Sequence, residues 1–455
     1  MPHTVRSLAR NFLTFAAALL TGALLAVAAP GGAVADSHSA SRVTQQSHTI
    51  DFGQQITVTL QAENDDADIV DIRAFYRPRG PGNIQSYSYA DFTPGRAVTA
   101  SSSISTGGAN YFPPGTEFEV YFEITDSTGM SIQTEPQVIE YLDPGIDWKR
   151  QADGPLTVVY YNISDGEIEG LLDAAQEQLP AMARMTGVEE IPDFKAVVFP
   201  SVQAATPSFP PVSQTATDNH FFAGFAMARY GLFVQGEPSQ STFVHELSHL
   251  LVASVVRSTL ATQAPSWLDE GLAVYSETGS RQPTESSVAS AAAENRLLPL
   301  RNMNRIPGQR DQIAVFYPQS GNFVGYLVEQ FGEESMGAML QNLNAGQRLD
   351  DAFAEAFGES MADVENEWRT SVGAQPLPAS TPTANNGEST SEPDATPQTQ
   401  PTATPPAQPP ADQPPTPSAT ISRLLPWAIA AVAVIVVGTV ILIRRWRRTR
   451  VGTDA

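Results

Sequence analysis

His245-Glu246-Leu247-Ser248-His249 is the stretch of this 455-residue chain whose residue types and spacing could do chemistry. Residues four apart share one face of a helix, so both imidazoles can reach a single metal ion. Glu246 stands beside the first imidazole and can point toward a water held by that ion. Imidazole nitrogens in a half-open tetrahedral site suit Zn²⁺. Phe243, Val244, Leu247, Leu250, Leu251 and Val252 surround the pair and predict a buried helix. Imidazoles within so apolar a helix need polar partners or a metal. The chain has no cysteine, which excludes thiolate zinc sites, iron–sulfur clusters, disulfide frameworks and cysteine nucleophiles.

Two histidines are too few for a zinc site, and the next informative stretch is Pro265-Ser266-Trp267-Leu268-Asp269-Glu270-Gly271-Leu272-Ala273. Pro265 marks a helix start, with Glu270 in the first turns. His-Glu-x-x-His followed by Trp-Leu-x-Glu-Gly-x-Ala resembles the gluzincin metallopeptidases, most of all the peptidase MA-like group. The resemblance implies that Glu270 is the third zinc ligand, that one zinc is bound per chain, and that Glu246 is the general base of peptide hydrolysis. It extends to Ala223–Ala226 with Gly231–Val234, similar to the strand pair before the zinc helix, and to Tyr317–Ser320 with Phe323–Leu327, similar to a later helix. The spacing from His249 to Glu270 is slightly longer than in other gluzincins, with the difference in the turn 257–264. The thermolysin branch has an aspartate four residues after its glutamate ligand; here that position is Val274. Support for the ligands is therefore expected from elsewhere.

Related aminopeptidases bring a tyrosine hydroxyl from a later helix to the developing oxyanion, and Tyr275 and Tyr317 compete for that part. Tyr275 is five residues past Glu270, about 140° round the same helix. Tyr317 immediately precedes Pro318, where a helix can begin, and Phe323, Leu327 and Phe331 then form an apolar stripe. The reading favours Tyr317, projecting into the cleft from a helix start. His220 is assigned a structural or surface position.

The elements that must position these groups read as α+β. Residues 150–373 begin with strands (156–161, 194–199), separated by a helix (167–185). A Gly/Phe-rich β region (221–234) follows, and the remainder to Gly373 is mostly helical. This is the expected zincin-like domain. Residues 45–145 alternate apolar and polar, as in Ile56-Thr57-Val58-Thr59-Leu60, with turns at Arg79-Gly80-Pro81-Gly82, Pro94-Gly95 and Asp126-Ser127-Thr128-Gly129. They predict a β-sandwich module resembling bacterial immunoglobulin or fibronectin domains, most simply a spacer or packing partner.

The ends read differently. Residues 1–35 have Arg6 and Arg10, an apolar stretch and Ala33-Val34-Ala35, the pattern of a signal peptide. Residues 376–420 hold 13 prolines and predict a disordered stalk. Residues 424–443 are 20 in number without a charge, followed by five arginines in the tail 444–455. They predict a single C-terminal transmembrane helix, with the basic tail cytoplasmic and the N-terminal domains outside at the cell membrane. The chain has 26 basic and 49 acidic residues, a formal charge of −23, which excludes general nucleic-acid binding. The partners expected are thus a peptide or protein substrate and the membrane. Two other functions stay open on sequence: a surface adhesin with a structural zinc, and a zinc amidase acting on cell-wall peptides.

Overall fold

The computed structural model describes residues 40–210, 224–258, 260–277 and 281–378. The signal peptide, the tail, His220 and all but the first three residues of the stalk lie outside them.

Alternation of apolar and polar residues folds the first hundred described residues into two facing antiparallel sheets. One has the order β1-β2-β5, from β1 (Arg42–Asp51), β2 (Gln55–Glu63) and β5 (Ala97–Ser105). The other runs β4-β3-β6-β7, from β3 (Ile69–Pro78), β4 (Ser86–Tyr89), β6 (Thr116–Asp126) and β7 (Ser131–Gln133), with β8 (Gln137–Tyr141) also paired to β6. Ile56, Leu60 and Ile104 from the first sheet meet Ile72, Phe118 and Phe122 from the second, all buried. The period of two puts every second residue into this core.

The second part is a mixed five-stranded sheet covered by helices. Its order is β12-β13-β11-β10-β9, built from β9 (Lys149–Asp153), β10 (Leu156–Tyr160), β11 (Phe194–Val198), β12 (Gly224–Met227) and β13 (Leu232–Gln235). β10, β11 and β13 run parallel, and the outer strands β9 and β12 are antiparallel to their neighbours. One face, through Val158, Ala196 and Phe233, packs on the helices; the other, through Val159, Val197 and Val234, faces Leu142, Phe199 and Ala205. The longer helices are α1 (Asp165–Thr186), α2 (Gln240–Val255), α3 (Ser266–Ser276), α4 (Arg281–Ala293), α5 (Arg310–Phe331), α6 (Glu333–Asn344), α7 (Leu349–Phe357) and α8 (Met361–Ser371). α1 opens on a capping box between Ser164 and Glu167 and closes on Gly187 at φ 71°.

Two expectations are corrected here. Among the described residues, no helix is long and apolar enough to cross a membrane. α1 has the length, at 22 residues, but carries Glu167, Glu169, Asp173 and Glu177. The fold class is therefore α+β without a membrane helix in the described part, and the helix expected at 424–443 lies outside it. The single-pass placement at the cell membrane, with the N-terminal domains outside, is withdrawn on the same finding.

Candidate metal centre

α2 presents His245 and His249 on one face, and α3 brings Glu270 to meet them. The Nε2 atoms of the two histidines are 3.2 Å apart. Glu270 Oε2 lies 3.3 Å from His245 Nε2 and 3.5 Å from His249 Nε2. A tetrahedral zinc with bonds of ~2.0–2.1 Å separates its ligand atoms by about 3.3–3.4 Å. The triangle therefore has the size that such an ion needs. Glu270 Oε2 is buried without a hydrogen-bond partner, which a cation would supply.

The outer nitrogens of the imidazoles are held by carboxylates. Glu277 Oε1 sits 2.8 Å from His245 Nδ1, and Ser241 Oγ donates to the other oxygen of Glu277 at 2.7 Å. Asp269 Oδ1 is 3.0 Å from His249 Nδ1, an ion-pair distance without hydrogen-bond alignment. These contacts orient the rings and leave both Nε2 atoms facing Glu270. They do what an aspartate at position 274 cannot do here. Neither was singled out from the sequence. Asp269 was legible as the acid beside the ligand, and Glu277 as the residue two helical turns beyond it on the same face.

The electrostatics follow from burial and this crowding. Burial favours neutral imidazole, yet Glu270 and Glu277 outweigh it and push His245 up to about 9. At His249 burial is likewise outweighed, here by Asp269 and Glu270, and the ring is held well above its ordinary range. Burial pushes Glu270 up, but the two imidazoles bring it down to about 2. Glu246 is different: burial dominates and raises its carboxyl.

Glu246 lies under the edge strand. A Cβ on Gly224 would sit 2.8 Å from both Cγ and Oε1 of Glu246, so only glycine lets β12 come this close. The Ala226 N–H donates to the Glu246 carboxylate. β12 thus forms one wall beside Glu246.

Tyr317 reaches the same place by another route. The helix start expected at Pro318 is not there; α5 begins at Arg310 and Pro318 lies inside it. Burial of Phe316, Gln319, Ser320, Phe323 and Val324 holds the helix through the missing N–H. Tyr317 sits two turns in, and burial, with the charges of Glu270 and Glu246, raises its phenol above the ordinary range. Close helix approach puts it there. A Cβ on Gly271 would lie 2.7 Å from Ser320 O, and one on Gly321 would lie 2.5 Å from Val274 Cγ1. The two glycines let α3 and α5 pack backbone to backbone. Tyr275 points elsewhere, its ring beneath the Arg281 guanidinium at 5.9 Å and against Gly325.

Residues 214–374 match the family model described as Peptidase MA superfamily. Over these residues the chain is similar to the members of that superfamily. It is a zinc metallopeptidase, as the motifs lead one to expect. Among solved structures, the M1 zinc metallopeptidase from Deinococcus radiodurans is 15% identical, with a TM-score of 0.34, over 72% of this chain and 92% of that chain. A mutant of that enzyme bound to a Tyr-Ser-Ala substrate is 16% identical, with a TM-score of 0.32, over 71% of this chain and 91% of that chain. No curated protein matches the chain.

Proposed function

We propose that the chain hydrolyses peptide bonds in a cleft between α2, α3, α5 and β12, with His245, His249 and Glu270 holding one zinc. The supporting observation is the triangle of two imidazole nitrogens and one carboxylate oxygen, 3.2–3.5 Å on a side, with Glu246 beside it. A bound zinc supplies Lewis acidity toward the scissile carbonyl and lowers the pKa of water. Glu246 takes the proton of the attacking water and passes it to the leaving amine. Burial raises its carboxyl, which helps it hold the proton between taking it from water and passing it on. Tyr317 stays protonated under the influence of burial and two carboxylates, and so donates a hydrogen bond to the oxygen on which charge develops. The substrate backbone lies along β12 as an added strand, a common mode for extended peptides.

The same reading divides the chain into a β-module at 45–145 and a peptidase domain at 150–373. A purely structural zinc takes four protein ligands, whereas the group found among the described residues has three. The test is Glu246→Gln in the full chain, assayed on a peptide library with zinc measured in parallel. Zinc should be retained and cleavage should fall by about 10²–10⁴-fold. Equal turnover by the variant would falsify the mechanism.

A further inference from the structure

The turn Arg79-Gly80-Pro81-Gly82 has no part in the metal centre, yet its loop is where the β-module meets the turn between β12 and β13. Gly80 has φ +120°, and a Cβ there would lie 2.3 Å from Arg229 O and 2.9 Å from Tyr230 Cα. Asn83 Nδ2 donates to Arg229 O at 2.9 Å, and Arg229 Nε donates to Asn83 Oδ1 at 2.6 Å. Arg229 lies in the single turn Ala228–Tyr230 that joins β12 to β13. A second hold lies upstream. Tyr111 Oη donates to Ser208 O at 2.7 Å, and the next residue, Phe209, packs its ring on Phe225 of β12 at 4.8 Å. The module therefore grips the turn that ends β12 and the segment whose aromatic ring packs on it.

β12 is only four residues long and is the outermost strand of its sheet. So short an edge strand has little cohesion of its own. It is also the strand that touches Glu246 through Gly224 and Ala226. We infer that the β-module braces the strand wall of the active site, with Asn83 a positioning residue that fixes β12 for the peptide it receives. The inference rests on the reading of β12 as the receiving strand.

Two measurements on the full chain separate the two ideas. Hydrogen exchange reads the clamp alone. In Asn83→Ala, amides of 224–230 should exchange about tenfold faster, while those of α2 keep their wild-type rates. Kinetics on peptides from two residues to about six, enough to pair along the strand, read the consequence. KM should rise about tenfold for the long peptides and little for the shortest, with kcat changing less and zinc content unchanged. Asn83→Asp keeps the acceptor for Arg229 Nε and should recover part of both effects. Gly80→Ala, which presses on the same turn by sterics, should reproduce them. Wild-type exchange at 224–230 in both variants overturns the clamp, as does a loss on all peptides together with lost zinc. Faster exchange with a wild-type KM that ignores peptide length leaves the clamp standing and fails the strand reading.

Discussion

The two walls of the cleft are built in opposite ways. The metal wall is two helices whose ligands are local: His245 and His249 are one turn apart, and Glu270 follows within the next helix. Its orienting groups are local too, with Asp269 adjacent to Glu270 and Glu277 two turns on. The strand wall is four residues of β12, and what fixes it comes from far away: Asn83 and Arg229 are 146 residues apart in the chain. A helix carries its own hydrogen bonds and can define a site by periodicity alone. An edge strand cannot, and borrows rigidity from whatever packs on its ends. On the proposed reading, chemistry sits on the wall that is self-sufficient, and substrate reception on the wall that is held.

That contrast is broken most simply at the metal wall. Glu270→Ala removes one vertex of the triangle and should strip most of the zinc, and peptide cleavage with it; full zinc by metal analysis would mean the third ligand is another residue. Tyr317→Phe should leave zinc in place and lower kcat by about 10²–10³-fold. Tyr275→Phe serves as its control and should turn over normally. If the two tyrosines behave the other way round, the close packing of α3 on α5 does not serve catalysis. Glu277→Gln is milder. It weakens the hold on His245 without removing a ligand, and zinc affinity measured by competition with a chelator should drop about 10–100-fold.

The difference between the walls also explains what could be read from the sequence. The α+β order, the strands at 156–160 and 194–198, the β12–β13 pair and the histidine face are all short-range patterns. Proline usually ends or begins a helix, which puts Tyr317 at a helix start on sequence; in the fold, burial on α5 outweighs the lost hydrogen bond. Asp269 and Glu277 carry no local signal that marks their role, because surface and orienting acids look alike until their partner is seen. Gly80 read only as a turn residue. That its missing side chain makes room for Arg229 O is a contact between distant segments, and no local pattern records it.

The smallest effect tests the far end of the strand side, where the module meets the sheet itself. Lys195, on β11, is largely buried and donates to Glu117 Oε1 and Glu140 Oε1, both at 2.7 Å, and to Gly115 O at 3.0 Å. Burial pushes the Glu117 carboxyl up, but Lys195 and Arg79 outweigh it and hold it below the ordinary carboxylate range. A depressed carboxylate stabilises the folded state above its unfolded pKa, and that contribution is lost as pH falls through its folded value. Lys195→Met removes the cation and leaves two crowded acids, so its deficit should be greatest near neutrality, lowering Tm by about 2–4 °C. As pH falls through the lowered value of Glu117 that contribution is lost, and the deficit should shrink. Melting curves at several pH values check this. A deficit that stays constant with pH would assign Lys195 to packing through its aliphatic stem, and would leave the polar hold on the module to the Asn83–Arg229 and Tyr111–Ser208 contacts.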